Sequence, residues 1–93
     1  MNDELKKAIN EYCDMLPYPN TGANPNDDRR LCNIAAVSHR LNEPVSHEYM
    51  KDRLQEHGNY ELKNLNEKQL DDFIDNRISK IDEIKYYLDR LGY

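Results

Sequence analysis

The feature that most constrains this chain is its last third, where residues 66–91 carry apolar side chains at helical spacing with no proline or glycine among them. Leu70, Ile74, Ile81, Ile84, Leu88 and Leu91 recur by threes and fours, and Phe73 and Ile78 widen the stripe. Asn66 and Gln69 stand at the two positions of a capping box, and Leu65 and Leu70 at those of a hydrophobic staple. Acids lead (Glu67, Asp71, Asp72, Asp75) and bases trail (Lys80, Lys85, Arg90), as the helix dipole favours. At about 1.5 Å per residue such a helix spans close to ~40 Å. A chain of this size folds to only about 25–30 Å across. The helix must therefore cover the rest of the domain and overhang it, or extend to a second copy. Read as heptads, Ile74, Ile81 and Leu88 form one row, and Leu70, Arg77, Ile84 and Leu91 the other. That arrangement suits a parallel helix pair, so a homodimer through 66–91 is one expectation. Arg77 opposes a buried seam unless its guanidinium reaches a carboxylate.

Three further helices are expected over about 3–15, 28–41 and 46–57. Leu5, Ala8, Ile9, Tyr12 and Leu16 line the first, Asn2 caps it, and Pro17 and Pro19 stop it. Leu31, Ile34, Ala35, Ser38 and Leu41, with Val37 alongside, line the second. Ser46 caps the third, Val45 and Met50 form its staple, and Gly58 suits its C-terminal end. Residues 17–27 hold three prolines, one glycine and three asparagines, and read as a loop. A loop this long in a small domain is either a contact with a ligand or partner, with Tyr18 and Asn20 as its candidate contact residues, or a passive connector. The fold class is thus all-α: a single small four-helix domain of 93 residues with a long amphipathic C-terminal helix.

Charge narrows the function. The net charge is -5. Residues 1–28 hold six acids and two bases, residues 29–58 four acids and five bases, and residues 59–93 eight acids and six bases. Such a chain is a poor general binder of phosphate backbones. No apolar run approaches a membrane span, and the acidic N-terminal segment does not read as a signal peptide, so a cytoplasmic protein with no membrane partner is expected. The mean hydropathy is -1.05, low enough that some apolar surface is expected to be covered by a partner. Cys13 and Cys32 are isolated and read as core filler rather than as a disulfide.

Asp71, Asp72, Asp75, Asp82 and Asp89 recur along the last helix and are expected to form a carboxylate row on the face opposite the apolar stripe. Such a row is either an ordinary solvated face or, because exposed acids on a rigid rod suit a basic surface, a contact for a partner protein, including one that binds nucleic acid. Asp71, Asp75, Asp82 and Asp89, with Tyr18 and Asn20, are the candidate partner-binding residues. By size and charge the chain is similar to small antitoxins, immunity proteins and phage-encoded inhibitors, an analogy that implies an inhibitory or regulatory role.

The stretch Ile34–Gly58 offers a second reading. Ala35 inside one helix, a short turn, Val45-Ser46 opening the next, and Met50 and Leu54 behind it together resemble a helix-turn-helix. The resemblance implies a dimeric DNA-binding regulator reading bases through His47, Lys51 and Arg53, with Arg29, Arg30 and Arg40 near phosphates. Glu48, Asp52 and Glu56 on the same helix repel phosphates, and the turn holds Pro44 where a glycine is usual.

Nothing in the sequence points to catalysis. His39, His47 and His57 are eight and ten residues apart, so no two lie one helical turn apart as a helical zinc site requires. There is no nucleophile elbow and no glycine-rich phosphate loop. The protein is expected to be no enzyme, with no metal and no cofactor.

Overall fold

A computed structural model describes residues 1–14, 25–57 and 64–92, with the side chains of residues 25–28 and 57 left aside. Four helices make up the described residues: α1 (Asp3–Asp14), α2 (Pro25–Leu41), α3 (His47–His57) and α4 (Glu67–Arg90). No strand occurs among them.

Local chemistry sets most of the ends. At α1, Asn2 Oδ1 accepts from the Glu4 amide at 2.8 Å, and Asp3 and Glu4 occupy the first turn. α2 begins at Pro25, three residues before the expected start. Proline suits a first helical position, because its fixed φ is already helical and its missing N–H is not needed there. The expected loop therefore loses residues 25–27 to the helix, and residues 17–24 lie outside the described residues. α2 ends in a Schellman turn: the Glu43 amide bonds Ser38 O at 3.0 Å and the Asn42 amide bonds His39 O at 3.1 Å. Asn42 sits at φ 51°, the left-handed conformation usually left to glycine, which explains how this turn dispenses with one. Ser46 caps α3 by accepting from the Tyr49 amide at 3.2 Å. At α4 both halves of the expected capping box form, Gln69 N to Asn66 Oδ1 at 2.8 Å and Asn66 N to Gln69 Oε1 at 3.0 Å.

The helices close around one core. Leu5, Ile9 and Tyr12 of α1, Leu31 and Ile34 of α2, Met50 and Leu54 of α3, and Leu70, Ile74 and Ile81 of α4 are all buried. Burial of a side chain of this size contributes roughly 1.5–3 kcal/mol relative to exposure. Val45 and Leu65 pack against the cluster, as the two staples require. α1 runs antiparallel to α2, with Glu4 paired to Arg40 at one end and Arg30 donating to the Glu11 carbonyl at the other. α3 runs beside α1 in the same direction, tied by Tyr49 to Asn10 and by Arg53 to Asp14. α4 lies antiparallel to α3 across both α2 and α3.

The molecule measures 40 × 27 × 21 Å, and its longest dimension is close to the ~36 Å that the 24 residues of α4 span. Two expectations need correction. Leu91, expected in the apolar stripe, is 72 % exposed, because the last turn of α4 runs past the core. Cys32 is exposed, one position round the helix from buried Leu31, so only Cys13 serves as core filler. Of the apolar rows of α4, Leu70, Ile74 and Ile81 are buried within the chain, while Ile84 and Leu88 are only partly covered.

Candidate functional site

Successive residues of a helix are turned by about 100°, so positions 71, 75, 82 and 89 fall beside the apolar stripe rather than opposite it. The carboxylate row accordingly runs along the edge of α4, where it meets α2 and α3. Lys51 Nζ lies 2.9 Å from Asp71 Oδ1 and 3.0 Å from Glu67 Oε1. His47 Nε2 lies 3.3 Å from Asp75 Oδ1 and 3.7 Å from Asp71 Oδ1. Hydrogen bonds to Asp71 and Glu67 hold the Lys51 ammonium above its usual pKa range. Asp71 Oδ1 is buried, and the Lys51 ammonium 2.9 Å away compensates its charge. Farther along α4, His39 Nε2 of α2 is 2.7 Å from Asp89 Oδ1.

This geometry divides the candidate residues. Asp71 is committed to the α3–α4 contact. Asp75 and Asp89 each approach one histidine yet stay 69 % and 76 % exposed at their side chains. Asp82 is exposed and has no ion pair among the described residues, and the same holds for Asp72 and Glu83 on the outer side of α4. Tyr18 and Asn20 lie outside the described residues.

The residues of the helix-turn-helix reading are engaged within the chain. His47 and Lys51 face α4, while Arg53 donates to both carboxylate oxygens of Asp14, at 3.1 and 2.8 Å. That fork raises the Arg53 pKa further. Arg40 pairs with Glu4, and Arg30 reaches the Glu11 carbonyl; Arg29 alone of the three expected phosphate contacts is exposed with no such partner among the described residues. A phosphate backbone would compete with these contacts. The exposed α3 residues Glu48 and Asp52 meet it with like charge.

Arg77 finds its partner in an unexpected place. Its Nε donates to the Tyr12 hydroxyl at 3.0 Å, its Nη1 to Asn76 Oδ1 at 2.7 Å, and its guanidinium lies 4.4 Å from the Phe73 ring centroid. A hydroxyl, an amide and an aromatic face thus replace the carboxylate that the seam position called for.

Sequence reasoning missed a groove of about 420 Å³ between the C-terminal ends of α2 and α4. His39, Asn42, Asp82, Lys85, Tyr86 and Asp89 line it. Tyr86 is 56 % exposed, with Arg90 5.8 Å from its ring centroid. The positions of Asp82, Tyr86 and Asp89, four and then three residues apart, were the available signal, although α2's contribution depended on the packing.

No group of three or more histidine, cysteine, aspartate or glutamate side chains among the described residues is arranged to hold a metal ion. No helix among them is long and apolar enough to cross a membrane. No protein-family model, no curated protein and no solved structure matches the chain. The class of molecule that the geometry defines is a small all-α domain with an acidic, partly aromatic edge on its longest helix.

Proposed function

We propose that this protein is a small acidic interaction protein that docks the carboxylate-bearing edge and outer side of α4 on a basic surface of a larger partner protein, inhibiting or regulating it. The observation that carries this reading is that Asp72, Asp82 and Glu83 have no internal counter-ion among the described residues, while Asp75 and Asp89 remain mostly exposed. Asp75, Asp82 and Asp89 follow one another at seven-residue intervals, about 10.5 Å along a helix. Charges fixed on a rigid helix lose little entropy when they meet a complementary field, and that field speeds the encounter. A partner whose basic groove ordinarily takes nucleic-acid phosphates belongs to this class. Residues 17–24 precede α2, and Tyr18 and Asn20 remain candidate contacts there.

The test compares wild type with a D75N/D82N/D89N variant whose helicity is checked by circular dichroism. Each is used as bait in a lysate of its source, and the captured protein is mapped by cross-linking. Wild type is expected to retain a basic protein that cross-links to α4 and elutes as salt is raised, and the variant is expected to lose it. Equal capture by both would retire the reading. Fluorescence anisotropy with duplex DNA at two salt concentrations addresses the regulator: binding that weakens steeply with salt and is lost in K51Q would replace the docking reading with the helix-turn-helix one.

A further inference from the structure

We propose that the groove between the ends of α2 and α4 is an anchor site for one arginine side chain of the partner protein. The proposal rests on the docking reading and names the chemistry of its central contact. Three features converge on a single guanidinium. Asp82 lines the groove without an ion pair among the described residues, and Asp89 directs one oxygen to His39 and carries a second acceptor oxygen. The last turns of both α2 and α4 border the same groove, so the negative ends of two helix dipoles reinforce the carboxylates. Tyr86 supplies an aromatic wall, where an incoming guanidinium competes with the chain's own Arg90, which lies 5.8 Å from the ring centroid and donates from Nη1 to the hydroxyl at 3.1 Å.

Arginine suits the site better than lysine. Its planar fork can donate to a carboxylate while lying on a ring, whereas an ammonium makes a point contact. The volume, about 420 Å³, accommodates a single long side chain with its hydration. Lys85 lines the same groove and is half-buried, so its ammonium opposes the incoming cation and weakens the site. Asn42, held at positive φ in the Schellman turn, places a polar side chain at the opposite wall.

The test uses the full chain, labelled with 15N, and a short blocked peptide containing one arginine. Saturable amide shifts are expected at His39, Asn42, Asp82, Lys85, Tyr86 and Asp89. The same peptide with citrulline, a neutral isostere of arginine, is expected to produce none. D82N is expected to weaken binding by about threefold or more, in the range for a partly exposed ion pair. K85A is expected to strengthen it, an effect that a purely structural role for Lys85 would not produce. Absence of saturable shifts, equal shifts with citrulline, or shifts centred elsewhere would overturn the proposal. If the arginine peptide fails while D75N/D82N/D89N still loses the captured partner, the anchor falls and the docking reading stands. If the peptide binds here while the variant keeps its partner, the docking reading falls and the groove remains an arginine site.

Discussion

Ser38 and Cys13 carry polar groups into the core in different ways. Ser38 is fully buried, and its hydroxyl donates to the Glu43 carbonyl, closing the turn that α2 needs before α3. Ser38→Ala removes that donor and should lower stability by about 1 kcal/mol in urea denaturation, the ordinary value for one internal hydrogen bond. The Cys13 thiol is 1 % exposed, and burial pushes its pKa from 9.0 up to about 12, with Asp14 adding to the rise. Iodoacetamide should therefore modify exposed Cys32 in the native protein and reach Cys13 only after unfolding, as peptide mass spectrometry would show. The sign of the pH effect follows. The unfolded thiol ionises above pH 9.0 while the folded one holds its proton to about 12, so this contribution to stability is intact below pH 9 and lost as pH rises through that window. Cys13→Ala should flatten the corresponding part of the stability profile.

At the scale of elements, the caps were readable because they depend on neighbours in sequence. Asn66 and Gln69 bond each other's backbone as their spacing implies, and Asn66→Ala should cost about 1 kcal/mol, measured as a lower thermal midpoint without loss of the core. The end of α2 was harder to read. Asn42 performs the role of a glycine, and nothing local distinguishes it from a loop asparagine until the Ser38–Glu43 bond is in place. The start of α2 was misplaced because Pro25 reads equally as part of a proline-rich loop and as a first helical residue. The carboxylate row was found by its spacing but assigned to the wrong side. The difference is one of phase: a row about 80–120° from the centre of the buried positions lies at the packing edge, where bases from neighbouring helices reach it.

For the whole molecule, the long helix had two possible destinations, and the chain itself takes most of its apolar surface. With Leu70, Ile74 and Ile81 buried internally, the large apolar side chains that remain exposed near the C-terminal end among the described residues are Tyr86, Tyr87 and Leu91. A stable dimer ordinarily buries about 1,200–2,000 Å² in total, more than so short a stretch offers. Sedimentation velocity at micromolar concentration should accordingly give a monomer of 11.1 kDa. A dimer that dissociates in Leu91→Glu would restore the paired-helix expectation.

The sequence by itself determined that the chain is all-α, where its helices lie to within a few residues, most of the apolar positions they bury and that its longest helix bears an excess of acids. These properties follow from periodicity, capping and composition, which are local. Tertiary structure alone decided which charges stay available. Lys51, His47 and Arg53 read as equally free along the chain, and only the packing of α3 between α1 and α4 assigns them to Asp71, Asp75 and Asp14. It also brings the last turns of α2 and α4 together into one groove, joining His39 to Asp89 across fifty residues. An ion pair depends on distance in space, and distances between remote segments are fixed only when the core closes.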